Sequence, residues 1–140
     1  MNGITIQYKK GYKYQLHNDF KVFIPIKPAV LLKAGSWIRL RANGLLILKH
    51  GYAWDGPSGP TFDSKTFMRG SLIHDALYQL MREGQLDRNV FRDQVDQLLR
   101  ETCLEDGMGS IRAWYVYRAV KNFGHKTSLA SWSRKVLQAP

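Results

Sequence analysis

The sequence predicts an α+β fold, an N-terminal antiparallel β-meander followed by a three-helix unit, on three observations. Through the first fifty positions apolar and polar residues alternate in short runs, the period of a half-buried strand. A stretch rich in glycine and proline then interrupts the chain. Beyond it the apolar residues recur every three or four positions, the period of a helix. The 140 residues suffice for one core, and the expected organisation is a single α+β domain over 1–124 with a basic tail over 125–140.

Ile4–Tyr8 alternates, and Gly11 precedes a second alternating run, Tyr12–Leu16. Phe20–Ile24 follows an Asn18-Asp19 turn, and Pro25 and Pro28 end its pairing. Trp37–Arg41 and Leu45–Leu48 flank Asn43-Gly44, whose tolerance of positive φ marks a tight hairpin. Trp54–Asp63, with two glycines and two prolines, reads as a loop. The first helix is expected from a Ser64 cap to a Gly84 stop, and the second from an Asp87 cap to near Gly107. The third should run from Ser110 to Phe123, closed by Gly124.

At about 100° per residue, Phe67, Gly70, Ser71, His74, Leu77, Tyr78 and Met81 share one face of the first helix, with His74 stacked on Tyr78. Asp75 falls at the border of that face. Phe91, Val95, Leu98, Leu99 and Cys103 make the apolar face of the second helix, with Asp96 on its edge and Asp93 outside it. The short Gln85-Leu86 connection makes the two helices antiparallel neighbours, so Asp96 can reach His74 or the Tyr78 hydroxyl. A carboxylate on one imidazole nitrogen fixes the tautomer and leaves the other nitrogen free as a base. The bland alternatives are a satisfied core histidine and an Arg92–Asp96 surface ion pair.

No apolar run reaches the length of a spanning helix, so no integral membrane segment is expected. Met1-Asn2-Gly3-Ile4 does not begin a secretory leader, and a lone Cys103 forbids an internal disulfide, so synthesis in a reducing cytoplasm is expected. Residues 1–54 hold nine Lys or Arg against one acid, residues 55–106 six against ten, and residues 107–140 six against none. Basic flanks around an acidic middle point to an anionic partner, a lipid surface or nucleic acid, with the carboxylates reserved for one site. Nucleic-acid binding would use Tyr8, Tyr12, Tyr14 and Trp37 with Lys9, Lys10, Lys13, Arg39 and Arg41. Sheet packing is the competing reading of those aromatics.

A loop, His-Asp-x-x-Tyr on a helix and an Asp on the next antiparallel helix resemble the phospholipase A2 site, most closely the short disulfide-free domains of parvovirus capsids. The resemblance covers about residues 51–104. It implies His74 as general base, Asp96 as the acid that orients it, Tyr78 as a supporting hydroxyl and Asp75 as a calcium ligand. Carbonyls of Tyr52–Gly59 would complete a Ca2+ site. The loop departs from the phospholipase pattern, with Asp55-Gly56-Pro57-Ser58-Gly59 in place of a Gly-x-Gly run, and Asp55 adds a second candidate metal carboxylate. Over about residues 10–124 the chain also resembles a family of small phage and prophage proteins of unassigned function. That likeness rests on Asp55-Gly56-Pro57-Ser58, Ile73-His74-Asp75-Ala76-Leu77-Tyr78, Val95-Asp96, Tyr117 and Phe123-Gly124. It implies association with a virion or other phage subunits.

Two rivals use the same residues. A metal-dependent phosphohydrolase would combine His50, His74, Asp75 and Asp96, although His50 ends a strand and such enzymes are helical. A non-enzymatic phage structural or binding protein would use the His/Asp/Tyr network for stability and the basic surface for its partner. Zinc has no pair of His or Cys at ligand spacing.

Overall fold

Alternation shapes the first half. The computed structural model describes residues 8–10, 14–54 and 65–129, which form an antiparallel strand set followed by three helices. The fold is α+β. The described strands and helices belong to two compact units, one of strands and one of helices.

In the strand unit, β1 (Tyr8–Lys10), β2 (Tyr14–Leu16) and β7 (Ala53–Trp54) make a three-stranded sheet in the order β1-β2-β7. The second sheet joins β3 (Phe20–Phe23), β4 (Leu32–Ala34), β5 (Ile38–Leu40) and β6 (Leu45–Leu48) in the order β3-β6-β5-β4. Phe20 and Val22 point inward while Lys21 and Phe23 face out, and the register sets Phe20 opposite Leu48 and Leu40 opposite Leu46. Both β4 and β7 go beyond the expected strands. Leu32-Lys33-Ala34 is too short to show a period, and it pairs only because Gly35, at φ 54°, turns it onto β5. Trp54, expected to open a loop, instead pairs with Tyr14, and their rings lie 5.6 Å apart. Tyr14 is therefore a core residue. The expected strand residues 4–7, 12 and 13 lie outside the described residues.

The Asn43-Gly44 hairpin forms as its sequence requires. Gly44 has φ 90°, its N–H donates to the Arg41 carbonyl, and the Asn43 side-chain oxygen accepts from Leu45 N–H. Asp19 locks the other end of the unit. It accepts from His50 N–H at 2.7 Å and pairs with Lys49 at 3.0 Å, and these bonds hold its carboxyl down at about 2.

The helical unit comprises α1 (Lys65–Arg82), α2 (Arg88–Glu105) and α3 (Ser110–Thr127). Ser64, the expected cap of α1, lies outside the described residues. Gly84, at φ 76°, ends α1, and Asp87 caps α2 by accepting from Asn89 N–H at 2.9 Å. Leu72, Ile73, Ala76, Leu77 and Leu80 are almost wholly buried on α1. Phe67, Leu99, Cys103, Met108, Ala113 and Val116 form one cluster with Val120 against it. α1 and α2 approach so closely at Gly70 that a Cβ there would stand 2.8 Å from a Leu99 methyl and 3.1 Å from the Cys103 sulfur. Buried Arg69 ties α1 to the end of α2 through a two-pronged bond to Asp106 and one to Glu105. Burial works against that charge, but the two acids outweigh it and raise the Arg69 pKa.

One substitution tests the hairpin. A Cβ on Gly44 would stand 2.6 Å from the Ile24 carbonyl oxygen, in a backbone conformation that side chains avoid. Gly44→Ala should cost about 1–3 kcal/mol in urea unfolding.

Candidate functional site

Two helical spacings and one buried acid build the site. His74 and Tyr78 sit one turn apart on α1, their ring centroids 4.1 Å apart with planes tilted by 31°. Asp96 faces them from α2 and has no solvent exposure, whereas the sequence placed it at the edge of the apolar face. Its Oδ1 lies 2.8 Å from His74 Nε2 and accepts from the Tyr78 hydroxyl at 2.6 Å. A buried carboxylate needs such donors, since an unpaired buried charge costs several kcal/mol. The alternative Arg92–Asp96 ion pair is not made, and Asp96 spends its oxygen on α1 instead.

Tyr78 is a fixed donor. Burial pushes its hydroxyl far above the usual range, and the Asp96 charge and hydrogen bond push it further. With Tyr78 donating to Oδ1, the carboxylate takes the Nε2–H of His74 and selects that tautomer. His74 Nδ1 then carries the lone pair. It has no hydrogen-bond partner among the described residues, and it is not among the sealed polar atoms that lack one. An imidazole held at one nitrogen and open at the other is the arrangement of a general base.

α3 closes the site through Gly124. Its expected role as a helix stop is wrong, for α3 continues to Thr127 and Gly124 is buried inside it. The glycine is there because a Cβ would run into the Tyr78 hydroxyl and come within 3.4 Å of Arg92 Cδ. Sequence reading also passed over Arg92 except as a surface partner. The guanidinium is half-buried, its Nη1 is sealed without a partner, and its charge acts on Tyr78. The available signal was its place one turn before Asp96 on α2. Arg88, at the start of α2, acts on Tyr78 in the same sense.

The remaining candidates are placed differently. Asp75 is half-buried on α1, beside His74 in the chain. Asp55 and the loop positions 55–59 lie outside the described residues. Among the described residues no group of three or more His, Cys, Asp or Glu is arranged to hold a metal ion. His50, the rival's first ligand, is an exposed residue of the strand unit held by Asp19. Asp93 accepts from the Tyr117 hydroxyl at 2.8 Å, and that bond, with one from Gln97, lowers its pKa.

If Gly124 exists to seat the Tyr78 hydroxyl, the two positions are coupled. Gly124→Ala should cost about 1–3 kcal/mol by displacing that hydroxyl, and Tyr78→Phe a similar amount by removing its bond to buried Asp96. In a double-mutant cycle followed by urea unfolding, the pair should cost less than the sum, by on the order of 1 kcal/mol.

Among known proteins, no family model, curated protein or solved structure matches this chain.

Proposed function

We propose that the protein is a phage-associated hydrolase of phospholipase A2 type, acting on the ester of an anionic lipid with His74 as general base. The observation that carries the reading is the buried Asp96 carboxylate bonded to both His74 and Tyr78, with Nδ1 of His74 making no hydrogen bond among the described residues. In this scheme Nδ1 takes a proton from water as the water oxygen attacks the ester carbonyl. The same proton then passes to the departing alkoxide. Asp96 holds the ring and offsets the positive charge it acquires, and Tyr78 keeps Asp96 in place. Arg92 favours a substrate with a negative charge near the reacting ester. Calcium at Asp75, if bound, would supply positive charge to the carbonyl oxygen.

A second reading is a non-enzymatic phage structural protein in which the same three side chains tie α1 to α2. It draws on their depth, since His74 is only 8% exposed and Tyr78 3%.

The two readings diverge at His74. His74→Gln keeps the size and a hydrogen bond, so under the hydrolase reading the melting temperature should hold while ester hydrolysis on anionic vesicles falls by roughly two orders of magnitude or more. Wild-type protein without hydrolysis, paired with a variant that loses about 1–3 kcal/mol of stability, would support the structural role. The metal is read separately. Calcium at millimolar levels should raise the melting temperature of wild type and not of Asp75→Asn, and an equal shift in both would place the ion elsewhere.

A further inference from the structure

The outer face of α3 is apolar, exposed and free of acids. Ile111 is 81% exposed, Trp114 47% and Tyr115 63%, at the spacing that gathers them into one stripe. These are not core residues. α3 has a separate inner face, where Ala113 and Val116 are buried and Val120 packs against the cluster. Exposed Arg118 continues the outer stripe one turn on, with its guanidinium 5.8 Å from the centre of the Trp114 ring. Lys121 is drawn back toward α2, 3.6 Å from Asp93 and over the Tyr117 ring. From residue 107 to residue 140 the sequence has six Lys or Arg and not one Asp or Glu.

We infer that the outer face of α3 docks on an anionic lipid surface, with Ile111, Trp114 and Tyr115 entering the headgroup–acyl boundary and Arg118 meeting lipid phosphate. Three features select this occupant. Trp and Tyr carry an apolar ring and a polar edge, which suits the wet boundary of a bilayer. Ile111 is the most exposed member of the stripe, and an aliphatic side chain gains from hydrocarbon but offers a nucleic-acid base no ring to stack on. A second copy of the chain would bring its own acid-free α3 against this one, and the like charges would repel. Among the described residues no helix is long and apolar enough to cross a membrane, so the contact lies on the surface. The inference stands on α3 and does not require hydrolysis at His74.

The test is co-sedimentation of the full chain with vesicles, in chelator to suppress any turnover. One set is phosphatidylcholine alone, and in the other a third of the lipid is phosphatidylglycerol. Wild type and His74→Gln should bind the anionic vesicles alike, and added salt should weaken that binding. The exposed double substitution Ile111→Ser/Tyr115→Ser leaves the net charge unchanged and should weaken binding roughly tenfold or more. Arg118→Glu should do the same, while Lys21→Glu, an equal charge change on an exposed position of β3, should have a much smaller effect. Melting temperatures within a few degrees of wild type show that the α3 variants are folded. Equal vesicle binding by wild type and the α3 variants would overturn the inference. So would a wild type that ignores anionic vesicles but forms a dimer, or binds a single-stranded oligonucleotide, through the same residues.

Discussion

Asp96 is a carboxylate with no contact with water, and a group of that kind persists only where donors are built around it. Its donors come from one turn of α1, so the pairing of α1 with α2 and the orientation of His74 are a single structural fact. Each requirement then generates the next. Tyr78 must reach Asp96, and its hydroxyl fills the space where a side chain on α3 would lie, which leaves only glycine at position 124. Lower on the same helices, Gly70 brings α1 against Leu99 and Cys103 so that the two axes stay close. Core packing and candidate chemistry draw on the same contacts, which is why a structural and a catalytic reading of His74 share their geometry.

The distribution of acids follows the same economy. The acidic middle of the sequence suggested carboxylates gathered at one site, yet the structure disperses them. Asp87 caps α2, Asp93 receives Tyr117, Asp96 holds the histidine, and Glu105 and Asp106 neutralise buried Arg69. In the strand unit Asp19 fixes the segment at Lys49 and His50. With these acids engaged locally, positive charge dominates what remains outside.

The order of strands and helices was legible because it rests on period and punctuation. Asn43-Gly44, Gly84 and Asp87 act where their backbone preferences say they should. The facing of His74, Tyr78 and Asp96 was legible as well, since spacing on two antiparallel helices determines it. What escaped depends on contacts far apart in the chain. Leu32–Ala34 and Ala53–Trp54 become strands only through their partners β5 and β2. Asp96 looked like an edge residue because its helix wheel could not show how closely α1 approaches. Gly124 looked like a stop because glycine ends helices more often than it makes room for a neighbour, and only the Tyr78 hydroxyl reveals which it does here.

The single thiol gives the helical unit an internal reporter. Cys103 is wholly buried beneath Gly70, and burial, with the nearby Asp106 charge, pushes its thiol up to about 12. A thiol-specific reagent in neutral buffer can therefore modify only those molecules in which the packing of α1 or α3 over Cys103 has momentarily opened. The labelling rate counts such openings of the helical unit without any engineered probe.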